Sequence, residues 1–393
     1  MVKRMGRAAY YVWTDMQLFN CLNLKLNQHK HIAGDLYVLN LKRITQPLLE
    51  AVRNSGAFEH VVCITPITDT AAFSHATTFL QKIYTRLGLR RYYIGAFREA
   101  VNDRCYDRLV LAGFWADGAM LATVLLANNP LLRIDYIEEG LRHGQEVFAY
   151  TLQSNLFSRV MRWFYDGWTI KKWKKRSDYG YFYRPDRFSG EPFSDYTYRS
   201  LKPIGVGNDR VLQIALLAQH NAAVTALYAS KRVILLEPGD EFTWRLHPHT
   251  PACDFSDLAS KIAQIVGPDK VLIHCHPSKT NAPKLAGLVY DDSSFPIELQ
   301  LLMLKCSRPE QLCDMTLICY HSSSMVNVIS MFDFSIRVIA LYKLSERFQR
   351  EGRFYCDEMV NQLKASLKDS QQIQIPQTAD AFFKSLQKEE MFQ

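Results

Sequence analysis

"DKVLIHCHPSKT", residues 269–280, decides the fold. The apolar run Val271–Ile273 has the continuous β-branched and aliphatic character of a strand buried on both faces. It ends in His274, Cys275 and His276, and Pro277 then stops any ladder by removing a donor. A core strand that finishes in two imidazoles belongs to an open parallel sheet, where ligands sit beyond the carboxyl ends of the strands.

Working outward, the same pattern recurs. "RVILLEP" (232–238), "DMTLICY" (314–320) and "SIRVIALY" (335–342) are further strands of one series, separated by helical stretches such as "DFSDLASKIAQIVG". An earlier series comprises "AAYYVW" (8–13), "DLYVLNL" (35–41), "HVVCIT" (60–65), "DRLVLAG" (107–113) and "LRIDYI" (132–137). Alternating strands and helices predict two doubly wound α/β domains of parallel βαβ units. Residues 177–210 are rich in Tyr, Phe, Pro, Gly and Ser and read as irregular structure before a domain junction. The expected division is 1–228, 229–345 and a polar helical tail, 346–393.

The bulk numbers exclude several classes. The chain has 393 residues, 48% hydrophobic and 22% charged, ample for two globular cores. A net charge of +8 fits an anionic partner without requiring nucleic acid. Nine cysteines with no CxxC spacing read as reduced core thiols rather than a disulfide frame or zinc site. The N-terminus has no signal-peptide core. The stretch 110–127 contains Asp117 and two glycines, and is expected to be a strand, a turn and a buried helix rather than a membrane span. "GVGNDR" at 205–210 lacks the third glycine and the preceding strand of a dinucleotide fingerprint.

Four groups of residues stand where a doubly wound sheet places its chemistry. "LRIDYI" runs into Glu138, Glu139 and Gly140, an acidic turn or a general base. "KVLI" runs into His274, His276 and Pro277, with imidazoles able to donate to a leaving phosphate; two histidines are too few for a zinc site. "MTLICY" runs into Ser322, Ser323 and Ser324, a helix cap or a phosphate cradle. Glu298 follows Pro296 at an expected helix start. Asp240 and Asp254 stay open as alternative bases.

In this order, "EEG" (138–140), "HP" (276–277) and the serines at 322–324, together with "FPIE" (295–298), resemble the signatures of bacterial sialyltransferases: lipooligosaccharide sialyltransferases and capsular polysialyltransferases. The resemblance spans about residues 8–345. It implies the GT-B fold, two facing Rossmann-like domains with an interdomain cleft. The first domain would take the acceptor and the second the CMP-sugar. It implies inverting transfer of sialic acid from CMP-sialic acid to a glycan hydroxyl, with no metal or other cofactor required. By match, the pair Glu138 and Glu139 supplies the base, with Glu138 preferred. His276 assists departure of CMP; Ser322 and Ser323 hold its phosphate, with the triple serine shifting that register by one. Glu298 takes the ribose hydroxyls, and Pro277 packs near the nucleotide. His274 stands where the family often has a basic residue. A transferase for CMP-Kdo, or a non-catalytic glycan-binding protein of the same fold, would share most of these features.

"FSRVMRWFYDGWTIKKWKKR" (157–176) carries seven Lys and Arg with Trp163, Trp168 and Trp173. It reads as a peripheral contact with an anionic membrane. The resemblance implies a bacterial cytoplasmic protein on the inner membrane. No nucleic-acid motif accompanies this patch.

Overall fold

The computed structural model describes residues 6–39, 44–65, 79–112, 116–139, 175–187, 197–204, 210–211, 213–214, 222–239, 242–247, 249–276, 279, 284–293, 295–320, 322–331, 335–346, 348, 357–367, 369 and 372–388. The chain divides into two compact units, Met1–Ala218 and Gln219–Gln393. The sequence reading put this division at 228/229; the helix Ala222–Ala229 falls within the second unit.

The first unit is a seven-stranded parallel sheet. Its strands are β1 (Arg7–Val12), β2 (Ala33–Leu39), β3 (His60–Ile64), β4 (Arg108–Leu111), β5 (Arg133–Ile137), β6 (Ser177–Phe182) and β7 (Thr197–Ser200), in the order β3-β2-β1-β4-β5-β6-β7. Between them run α1 (Asp15–Asn27), α2 (Gln46–Asn54), α3 (Phe79–Val101) and α4 (Ala116–Asn128). Thr14 starts α1 by accepting the Gln17 N–H at 3.3 Å, which satisfies an otherwise orphaned donor. The stretch 110–127 resolves into β4 and α4, with Met120, Leu121 and Leu125 fully buried. Among the described residues no helix is long and apolar enough to cross a membrane.

The second unit is a six-stranded parallel sheet of β8 (Val233–Leu236), β9 (Val271–His274), β10 (Val289–Asp291), β11 (Thr316–Cys319), β12 (Arg337–Ala340) and β13 (Ile373–Gln374), ordered β10-β9-β8-β11-β12-β13. Its helices are α5 (Ala222–Ala229), α6 (Phe255–Val266), α7 (Ile297–Ser307), α8 (Ser324–Ser330), α9 (Asp357–Ser366) and α10 (Ala379–Lys388). Numbered from its own first strand, each sheet begins 3-2-1-4-5-6, the doubly wound order, with its switch point beside β1 in one unit and β8 in the other.

The nine strands read from sequence are all present, and four more join them. β6 and β7 occupy the segment read as irregular. The reason is local: a Cβ at Gly180 would meet the Phe182 ring at 2.8 Å and the Tyr198 ring at 3.0 Å, so glycine here admits aromatic packing rather than marking a turn. β13 lies within the tail read as helical, and pairs with β12 to extend the second sheet.

Every described cysteine is a free thiol. Cys21 and Cys319 are buried, as read; Cys105, Cys306 and Cys313 are exposed and so are not core residues.

Candidate active-site residues

In the second unit, strand register sets the site. Leu235 stands beside Ile273 of β9 and Ile318 of β11, and Leu236 stands beside His274. Counting on, Gly239 and Ser322 leave the sheet at one level and His276 within one residue of it, from three adjacent strands that run about 4.8 Å apart. That level is the carboxyl edge at the switch point, where ligands of doubly wound sheets bind.

His276 is held there by its neighbours. Its backbone N–H donates to Glu237 Oε2 at 3.2 Å, and its carbonyl accepts the Lys279 N–H at 2.9 Å, closing a tight turn. Its half-buried ring lies against Gly239, where a built Cβ would come within 2.8 Å of Cε1 and Nε2. Glu237 and Gly239 escaped the sequence reading, although "LLEPG" ends the first strand of its unit and so marks the switch point. Pro277 lies outside the described residues.

His274, read as standing where the family has a basic residue near the nucleotide, is held by partners within its own unit. It is buried, with Nδ1 2.7 Å from Tyr228 Oη and 3.1 Å from Asp291 Oδ2, while Tyr228 donates to Asp291 at 2.5 Å. Burial alone would raise the Asp291 carboxyl, but hydrogen bonds from His274, Ser293 and Tyr228 hold it below its ordinary value. This closed trio ties α5, β9 and β10 together and buries the His274 ring at the carboxyl end of β9.

The serines differ among themselves. Ser322 is half-buried and its Oγ accepts the Ser324 N–H at 3.1 Å; Ser323 is exposed; Ser324 is buried in the first turn of α8. The open pair is therefore Ser322 and Ser323. Glu298 is buried at the start of α7, and its Oε1 accepts Asn327 Nδ2 from α8 at 2.8 Å. The segment after β11 and the start of α7 are thus joined, and Asn327 Oδ1 is buried with no hydrogen-bond partner. Asp254 caps α6 in a reciprocal box with Asp257, which occupies it structurally. Asp240 lies outside the described residues.

In the first unit the acidic pair follows β5. Glu138, the preferred base from sequence, is fully buried. Its Oε2 accepts the Tyr183 N–H at 2.6 Å and its carbonyl accepts Asn20 Nδ2 at 2.6 Å, while Tyr183 Oη donates to Asn20 Oδ1 at 2.9 Å. It is a bracket between β5, β6 and α1. Glu139 is partly exposed. Adjacent residues on an extended chain point opposite ways, so Glu139 stays out of the Glu138 bracket, and its Oε2 is itself buried. Gly140 and residues 157–174 lie outside the described residues.

The edge beyond β1 carries a further carboxyl that sequence reading passed over. Asp15 is buried, accepting the Thr45 N–H at 2.8 Å and its Oγ1 at 3.2 Å; burial outweighs these bonds and pushes it up to about 7.

Two carboxylates and an imidazole, Asp35, Glu59 and His60, cluster tightly enough for a metal. Arg7 already bridges Asp35 at 2.9 Å and Glu59 at 2.8 Å, so a guanidinium supplies the positive charge. The cluster gathers near the starts of β1, β2 and β3, away from the ligand edge.

No protein-family model matches the sequence, and no curated protein matches it. Among solved structures, the glycotransferase of kitacinnamycin is similar with a TM-score of 0.53 at 11% identity, over 99% of this chain and 92% of that one. Arabidopsis thaliana UGT89C1 complexed with UDP-L-rhamnose is similar with a TM-score of 0.51 at 10% identity, over 98% and 90%. The GT-B domain of a sialyltransferase from Photobacterium damselae has a TM-score of 0.47 at 11% identity, over 94% and 99%. The chain has a glycosyltransferase-like GT-B fold.

Proposed function

We propose that this chain is an inverting glycosyltransferase that moves sialic acid from CMP-sialic acid to a hydroxyl of a bacterial surface glycan. The observation that carries this reading is positional. The three short motifs fall at strand carboxyl ends: the acidic pair after β5, His276 after β9 and the serines after β11. Short motifs alone are weak, but their placement at the edges that bind ligands in doubly wound sheets is what the chemistry demands.

In this reading Glu139, rather than the sealed Glu138, takes the proton from the acceptor hydroxyl. The acceptor oxygen forms its bond to the anomeric carbon as the bond from that carbon to the phosphate of CMP breaks. The leaving group gains negative charge, so it needs donors rather than a nucleophile. His276 donates to it, Ser322 and Ser323 hold the phosphate, and Glu298 with Asn327 receives the ribose hydroxyls. Donors of this kind meet the charge without a required metal.

The test is incubation of the full chain with CMP-sialic acid and a panel of galactosides and sialosides, with products read by mass. A sialyl mass increment with stoichiometric CMP release supports the proposal. A parallel arm with CMP-Kdo decides the donor: transfer from CMP-Kdo alone replaces sialic acid with that sugar. No turnover of either donor overturns the enzymatic reading and leaves a glycan-binding protein of this fold.

A further inference from the structure

The described surface has four exposed large hydrophobic side chains: Tyr84, Leu87, Tyr92 and Leu131. Three of them lie on α3, at 75%, 39% and 40% exposure. Their spacing is not random. Tyr84, the pair Leu87 and Gly88, the pair Arg91 and Tyr92, Gly95, and the pair Arg98 and Glu99 recur at three- and four-residue steps, so they share one helical face. From Tyr84 to Glu99 that face runs about 22 Å along the axis at 1.5 Å per residue. All eight are exposed to solvent, and a Cβ built at Gly88 or Gly95 meets nothing within 4 Å. The opposite side is occupied: α3 packs on α4, with Phe97 and Val101 buried.

The charge on this helix is one-sided. Its sequence carries Lys82, Arg86, Arg90, Arg91 and Arg98 against a single carboxylate, Glu99, which is half of the chain's formal +8 in 23 residues. Among the described residues no carboxylate pairs with Arg90, Arg91 or Arg98. A solvated helix face of this length is ordinarily laced with both signs at i, i+4 spacing. Here arginines, two tyrosines and a leucine share the solvent side instead.

We infer that this face of α3 docks on an anionic lipid bilayer. Unpaired arginines complement phosphate headgroups, and Tyr84 places an apolar ring below a polar hydroxyl at the depth where headgroups meet acyl chains, while Tyr92, whose hydroxyl donates to the Thr65 carbonyl at 3.1 Å, offers its ring. The two glycines keep the stripe shallow, so that headgroups reach its backbone side between the rings. A soluble polyanion would satisfy the arginines but gives Leu87 no apolar contact, so a bilayer accounts for more of the face. This helix is a different stretch of sequence from residues 157–176, and the inference does not rest on the proposed reaction.

The experiment is cosedimentation of the full chain with vesicles of phosphatidylcholine alone and with about 30 mol% phosphatidylglycerol, across a salt series. Anionic vesicles are expected to bind the chain and neutral ones to bind it weakly, with binding falling as salt rises. Both a Tyr84→Ser, Leu87→Ser, Tyr92→Ser variant and an Arg91→Glu, Arg98→Glu variant should partition roughly tenfold less, with unchanged circular dichroism and thermal midpoint. Four outcomes overturn the inference. They are no preference for anionic vesicles, wild-type partitioning by both variants, loss of all vesicle binding on neutralising only Lys171, Lys172, Lys174 and Lys175, or binding to soluble polyphosphate without binding to vesicles. A self-association that these variants abolish while vesicle binding persists would assign the face to a second copy of the chain.

Discussion

The imidazole of His276 rests on the α-carbon of Gly239, with no room for a methyl group between them. The contact joins the ends of β8 and β9 at the switch point of the second sheet and fixes where the ring stands. Gly239→Ala should therefore reproduce much of the effect of His276→Ala without touching the imidazole chemically. Both are expected to cut turnover about 10²-fold or more, the usual cost of losing one preorganised donor to developing charge. Because both positions are at the edge rather than in the core, thermal midpoints should stay close to wild type. Steady-state rates with CMP-sialic acid, measured beside a melting curve, decide it; wild-type kinetics in the Gly239→Ala variant would remove the positioning role of the glycine.

Glu138 and Glu139 should separate cleanly. Glu138→Gln leaves an acceptor for the Tyr183 N–H but buries an amide NH2 with no designed partner, a cost of about 1–3 kcal/mol. It should lower the denaturant midpoint, with turnover reduced only as far as the fold is disturbed. Glu139→Gln should leave stability unchanged and remove base catalysis, roughly 10²–10⁴-fold in kcat. If the two variants exchange these phenotypes, the base is Glu138 after all.

Continuous Val, Ile and Leu runs made nine strands legible, because a strand covered on both faces has no polar alternation to blur it. β6 was not, since "SDYGYF" carries the residues of a turn and its pairing depends on rings stacked over Gly180. Site residues followed the same division. Position after a strand is written in sequence, and it pointed to the pair Glu138 and Glu139, to His274 and His276, and to the serines at 322–324. Which member of a pair faces outward is not, because it depends on partners far along the chain: Tyr183 and Asn20 for Glu138, Tyr228 and Asp291 for His274.

His274 and His276, two residues apart, should accordingly fail in opposite ways. His274→Ala opens a cavity in the core and strips Asp291 of one of its buried donors, so stability should fall by about 2–4 kcal/mol. The KM for the nucleotide donor in the surviving folded fraction should be near wild type. Urea titration followed by kinetics below the transition tests both halves; a His274→Ala variant of full stability but weakened donor binding would return this residue to the nucleotide site.

Asp15 gives the fold a specific pH dependence. Burial raises its carboxyl from the ordinary 3.8 to about 7 despite two hydrogen bonds from Thr45. Between those values the folded chain keeps a proton that the unfolded chain has released. Stability therefore falls as pH rises through that window, and above about 7 the full cost of a buried charge remains. His29 works in the opposite sense. Burial, with Arg108, Lys25 and Arg199 nearby, lowers it from 6.5 to about 4, so its contribution is complete above 6.5 and is lost as pH falls toward 4. Whole-protein stability against pH mixes these slopes, so the informative quantity is the difference between wild type and Asp15→Asn. The asparagine keeps an acceptor for Thr45 and never ionises. Relative to wild type, the variant should gain on the order of 3 kcal/mol between pH 4.5 and pH 7.5, each pKa unit being about 1.4 kcal/mol. Chemical denaturation of both proteins at the two pH values measures it. A difference that is flat with pH would show that the Asp15 carboxyl ionises in the folded chain as it does in water.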